Sequence, residues 1–207
     1  MDEKYYGVGS YLDIEDSSNF LAYGEVYKDT VKALLEHFSK EPPSEPLFDL
    51  EDLDDGTYDA KTGMDVDAQM LPIHALGILP IIFLFRHYIE LKLKGFILFK
   101  GGRIKAKSHD ISELLKQLKT VSKTERISPE TEEFIDELQK WDKNSDGFRY
   151  PIDTKGRPFF QGESTRFLEK INTLSSIRNL IFTVIRDLVN VEGDFDYERD
   201  NRGQQWY

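Results

Sequence analysis

Cysteine is absent from all 207 residues. Disulfides, thiolate zinc sites and a cysteine nucleophile are therefore excluded, and the composition suits a reducing cytoplasm. A long hydrophobic run is missing too. The most apolar stretch, LPIHALGILPIIFLF (Leu71–Phe85), is shorter than the roughly 20 residues that span a bilayer, and prolines and a histidine interrupt it. It reads as a buried helix, so no membrane is expected. The N-terminus, MDEKYYGVGS, lacks the basic-then-apolar layout of a secretory signal. Strands are lacking as well: no segment alternates apolar and polar residues convincingly, and no internal repeat recurs.

Bases are scarce at one end. The net charge is −11, yet residues 1–75 hold 18 of the 38 acids and only 5 of the 27 bases, so the remainder is close to neutral. A chain this acidic is a poor non-specific binder of DNA, because phosphate neutralisation needs concentrated Lys and Arg. One stretch does concentrate them. Leu91–Ser108, LKLKGFILFKGGRIKAKS, carries six bases and no acid.

What the chain has in quantity is helical periodicity. Phe20, Tyr23, Tyr27, Val31, Leu34, Leu35 and Phe38 predict an amphipathic helix over 19–40, capped by Asn19 and ended by EPPSEP. Residues 47–68 read as a long acidic loop with a turn at Asp55-Gly56, either solvated or reserved for a partner. A helix apolar on nearly every face starts at Pro72 or Pro80 and runs to Phe99, where Gly101-Gly102 stops it. Ile111, Leu114, Leu115 and Leu118 share one face of the next helix. Ser128-Pro129 opens another, with serine at the cap and proline in the first turn. The last clear helix covers Ser164–Asn190. These elements predict an all-α bundle of four or five helices. Three regions follow: an acidic N-terminal segment (1–67) with one amphipathic helix, the bundle (68–190), and a loose polar tail (191–207).

The segment DKNSDGFRYPID (Asp142–Asp153) follows the calcium-loop rule at several positions: Asp142, Asn144, Asp146, Gly147 and the closing Asp153. Three features argue against a calcium site. Arg149 stands where Ile, Val or Leu is required, Pro151, Gly156 and Pro158 forbid the exiting helix, and no second hand exists. An Asx-rich turn that presents Arg149 and Tyr150 fits better, and no metal or cofactor is expected.

RHYIELKLKG (Arg86–Gly95), HDISELLKQL (His109–Leu118) and RYP (Arg149–Pro151) resemble, in order and spacing, the HEPN domains, helical domains named for nucleotide binding in prokaryotes and higher eukaryotes. The matching pattern is Glu90 followed by Leu93, Lys94 and Gly95, then a helix start at His109, Asp110 and Ile111, then Arg149, Tyr150 and Pro151. The resemblance covers roughly residues 72–190. It implies an antiparallel four-helix core and a homodimer, while the acidic N-terminal extension has no counterpart in it. It also implies a nucleotidyltransferase or other defence-system partner, a toxin–antitoxin or anti-phage setting, and often ribonuclease activity from an Arg, four to six residues, then a His.

Metal-free RNA cleavage needs a base for the 2′-OH and a cation for the phosphorane, which His and Arg supply. RNLIFT (Arg178–Thr183) resembles the late motif, with Arg178 and Asn179 in place, but Thr183 stands where His is required. RIKAKSH offers a second pair, Arg103 and His109, flanked by Lys105 and Lys107. Arg86, His87, Glu90 and Lys94 form a polar stripe on the central helix, read either as a ligand face or as an internal salt bridge. Three functions are carried forward. The first is a nucleotide-, RNA- or partner-binding dimer without robust catalysis. The second is a metal-independent endoribonuclease using Arg103 and His109. The third is a structural adaptor that docks through its acidic arm.

Overall fold

A computed structural model of the protein describes residues 17–40, 73–104, 109–122, 126–143 and 171–204, the side chains of 73–77 and 198–204 excepted. Five α-helices and no strand occur among them: α1 (Ser17–Lys40), α2 (Ile73–Phe99), α3 (Ile111–Ser122), α4 (Pro129–Trp141) and α5 (Leu174–Gln204). The all-α expectation holds. The acidic loop 47–68 and the segment Asn144–Lys170 lie outside the described residues.

α2 is the hub, packing against α1, α3 and α5. Its apolarity on nearly every face explains this. Ile78, Ile81, Ile82, Phe85, Tyr88, Ile89, Leu93, Phe96 and Ile97 are all buried, on more than one side of the helix. Each such side chain taken from water contributes about 1.5–3 kcal/mol. The helix takes the earlier of its two expected starts, with Pro80 accommodated inside it. It stops at a Schellman motif: Gly102 N–H donates to Ile97 O at 2.9 Å, and Gly101 N–H to Leu98 O at 2.9 Å. Gly101 adopts φ 73°, which an L side chain resists.

The contacts run antiparallel. Along α1 and α2, Gly24 lies over Lys92 and Leu21 over Gly95. Between α3 and α4, Lys119 pairs with Glu132 at 2.7 Å while Ile111 N–H reaches Gln139 at 2.9 Å. The caps are those the sequence suggests. Asp110 Oδ1 accepts from Glu113 N–H at 2.9 Å to start α3, and Ser128 Oγ accepts from Thr131 N–H at 3.3 Å to start α4. Ser128 and Thr131 also donate to Asp187 Oδ2, at 2.5 and 2.7 Å, and so dock α4 on α5. Burial opposes the charge on Asp187, but these donors outweigh it and hold its carboxyl below the usual range.

α5 differs most from expectation. It begins at Leu174, capped by Thr173, whose Oγ1 accepts from Ser176 N–H at 3.0 Å. It then continues through Asn190 to Gln204, across residues that read as a loose tail. Val191 and Phe195 extend the buried stripe of Val184 and Leu188 by about two more turns, and Phe195 stacks on Phe99 with centroids 5.2 Å apart. Two core anchors outweigh the polarity of their neighbours.

Candidate functional site

The polar stripe on α2 opens into a buried network. Arg86 is fully buried, and its guanidinium reaches four groups on three helices and their ends. It lies 3.2 Å from Glu90 Oε2 and 3.3 Å from Asp142 Oδ2, and donates to His109 O at 2.7 Å and to Gln139 Oε1 at 3.2 Å. The planar fork of arginine suits such divergent acceptors, which a lysine could not satisfy together. Glu90 in turn meets Lys94 at 2.7 Å and His109 Nδ1 at 3.0 Å through Oε1. Burial opposes ionisation of Glu90, but Lys94, His109 and Arg86 prevail and keep its carboxyl below its ordinary value.

Helical spacing places these groups. Arg86, Glu90 and Lys94 follow each other at i, i+4 and i+8 along one face of α2. His109 precedes the cap of α3, so both its carbonyl and its ring turn toward that face. Gln139 and Asp142 come from the end of α4. Gln139 Oε1 accepts from both Arg86 and Ile111 N–H, and its Nε2 donates to Lys143 O at 3.1 Å. One side chain thereby joins three elements.

Of the candidate residues, then, Arg86, Glu90, Lys94 and His109 are brought together, with Arg86, Glu90 and Lys94 buried as an internal salt-bridge network. His109 keeps 53% of its side chain exposed. His87 departs from the group. It stacks on Tyr27 with centroids 5.6 Å apart and tilts against Phe83 at 4.4 Å, in the seam between α1 and α2. Arg103 is exposed, and its carbonyl accepts from Gln117 Nε2 at 2.6 Å. Lys105, Lys107, Arg149 and Tyr150 lie outside the described residues.

Arg178 and Asn179 stand exposed on α5, with the Arg178 guanidinium 5.6 Å from the Phe182 ring centroid. No hydrogen bond or ion pair joins Arg178 to Arg103 or His109 among the described residues. Thr183 is half-buried. The histidines of the chain are His37, His74, His87 and His109, so none follows Arg178 at any spacing.

Sequence reasoning missed Gln139 and Asp142. A signal existed for each: Gln139 interrupts the apolar face of α4 next to Leu138, and Asp142 is the first acid of the loop that imitates a calcium site. Asp142 is 1% exposed and committed to Arg86, which removes it as a calcium ligand. Among the described residues no cluster of acids and histidines is arranged to hold a metal ion. None of the described helices is long and apolar enough to cross a membrane.

An all-helical bundle built on a central apolar helix, with an arginine–glutamate–lysine–histidine network tying that helix to its neighbours, defines the class. Comparison with protein-family models supplies the family: the HEPN domain model matches residues 80–181, and this chain carries a HEPN domain. HEPN domains point in general to nucleotide- or RNA-related work in defence or toxin systems. The match opens at Pro80 within α2 and closes at Ile181 within α5, leaving α1, the start of α2 and most of α5 (182–204) outside it. Comparisons with curated proteins and with solved structures give no match.

Proposed function

We propose that the protein is a HEPN-type dimer of a prokaryotic defence or toxin–antitoxin system that binds nucleotide, RNA or a partner protein without robust catalysis. The observation that carries this reading is the late motif. Arg178 and Asn179 are in place and exposed, but Thr183 replaces the histidine and no later one exists. Threonine cannot take the 2′-OH proton near neutral pH, whereas its neighbours can still contact phosphate. The remaining candidate base, His109, has its Nδ1 held by Glu90 and its carbonyl held by Arg86, which is the environment of a residue that fixes a helix start.

A second reading keeps His109 as the base of a metal-independent endoribonuclease, with Arg103 as the cation. The exposure of both side chains favours it. Incubating wild type and His109→Ala with total tRNA and mRNA in EDTA decides between the two. Intact RNA with both proteins is expected. Cleavage by wild type that His109→Ala abolishes would overturn the binding reading and establish the nuclease.

A further inference from the structure

A fully buried ammonium joins two parts of the chain that the family match leaves out. Lys92 of α2 has no exposed surface and lies inside the match, while its partners, Glu25 of α1 and Glu192 of α5, lie outside it. Lys92 Nζ donates to both carboxylate oxygens of Glu192 at 2.8 Å and stands 2.7 Å from Glu25 Oε1. α1 seals it from water: Gly24 lies over the lysine stem, whose carbons are 3.3 Å from where a Cβ would stand. One turn beyond Glu192, Phe195 packs on Phe96 and Phe99 with centroids 5.2 Å apart, and Lys100 Nζ lies 4.5 Å from the Phe195 centroid.

The two ends of this clasp differ in strength. Glu192 holds Lys92 with two hydrogen bonds and keeps 26% of its side chain exposed. Glu25 keeps 40% exposed and shares its charge with Lys28. Among the described residues Glu25 Oε1 accepts no hydrogen bond, so its approach to Lys92 is a charge attraction without hydrogen-bond alignment. Closing the clasp also has a cost. Lys92 gives up its hydration, and the Tyr88 hydroxyl, one turn earlier on α2, is buried without a hydrogen-bond partner among the described residues. Lifting α1 hydrates both groups, which favours an open state, while the ion pairs and the close approach at Gly24 and Gly95 favour the closed one.

Opening at one end alters the other. With α1 lifted, water reaches Nζ, and Lys92–Glu192 becomes a hydrated pair that holds the end of α5 only weakly. With the end of α5 frayed, Lys92 keeps only the unaligned Glu25 and is a poorly paired buried charge, which favours release of α1.

We propose that Lys92 couples the docking of α1 to the folding of the far end of α5, so that α1 and residues 191–204 open and close on the bundle as one unit. Glu25 is the end that lets go first. A partner that draws α1 away thereby also frees the end of α5, and one that grips the end of α5 holds α1 down.

Native-state hydrogen exchange of the full chain, read by mass spectrometry, tests this, because amide exchange reports local opening helix by helix. The variants are Glu25→Gln, Glu192→Gln and Lys92→Met, with Lys119→Gln as a control at the ion pair between α3 and α4. Circular dichroism checks that each variant folds. Glu25→Gln should speed exchange about fivefold or more in 191–204 as well as in α1, and Glu192→Gln should speed exchange in α1 by a like factor. In both variants α3 and α4 should keep wild-type rates. Lys119→Gln should leave α1 and α5 at wild-type rates. In a Lys92→Met background Glu25→Gln should leave 191–204 unchanged, because the coupling charge is gone. The two glutamine variants decide the question even if Lys92→Met does not fold. If each of them loosens only its own helix, the coupling does not exist and the proposal is overturned. If all five helices exchange faster together, the effect is on global stability and the proposal is overturned as well.

Discussion

Arg86 and Glu90 show how a residue can look functional in sequence and prove to be an organiser of the bundle. An arginine with no exposed surface keeps its charge because Glu90, Asp142, Gln139 and the His109 carbonyl surround it. Removing it takes the guanidinium charge away from buried Asp142 and from Glu90, for which Lys94 and His109 remain. Arg86→Met should therefore cost about 3–5 kcal/mol in urea unfolding, and a loss under about 1 kcal/mol would contradict the network. Glu90 adds a pH signature. Its carboxyl is more acidic in the folded chain than its ordinary 4.5, so the ionised form is the stabilising one. That stability is fully present above about pH 4.5 and is lost as pH falls through the lower, folded value. Glu90→Gln should be less stable than wild type at neutral pH and should show a flatter stability profile below pH 4.5. Parallel profiles would show that Glu90 does not couple protonation to folding.

At the scale of elements, the seam between α1 and α2 depends on glycine at one position more than another. A Cβ at Gly95 would come within 2.6 Å of Leu21 Cδ2 and 2.8 Å of its Cγ, closer than atoms can pack. At Gly24 the nearest atoms belong to the stem of Lys92, 3.3 Å away. Gly95→Ala should thus destabilise the protein by about 1–3 kcal/mol by lifting α1. Gly24→Ala should cost much less, because alanine gains helix propensity and the stem of Lys92 needs to give only a few tenths of an ångström. Equal melting temperatures for the two variants would contradict the close approach. Lys92 binds the same seam: fully buried, it pairs with Glu25 at 2.7 Å and Glu192 at 2.8 Å, linking α1 and the far half of α5 through α2. The buried Tyr88 phenol next to them is pushed well above its ordinary range, first by burial and then by Glu25 and Glu192, so it stays protonated. A chain ending at Asn190 loses Glu192, Val191 and Phe195 together. It should unfold with a loss of at least about 3 kcal/mol, the cost of deleting a large buried aromatic. Unchanged stability would show that α5 ends, energetically, where the polar composition suggests.

For the whole molecule, legibility followed periodicity. α2, α3 and α4 were readable because their apolar positions and caps agree: Ser128-Pro129 and Gly101-Gly102 mark boundaries that backbone chemistry imposes. The extension of α5 was not, because two apolar anchors in a mostly polar seventeen-residue tail give too weak a period, and Phe195 packs on Phe96 and Phe99 of a helix distant in sequence. The candidate site was legible in part. Helical spacing aligned Arg86, Glu90 and Lys94, but the long-range closure by His109, Gln139 and Asp142 is tertiary and leaves no local pattern.

On the reading proposed above, the HEPN domain binds its ligand without robust catalysis, so RNA that it holds should stay uncut. The most direct measurement recovers RNA from one reaction, in EDTA, first retained with the protein on a filter and then sized on a denaturing gel. Retained, full-length RNA is expected. Shortened RNA, produced by wild type without metal, would contradict it.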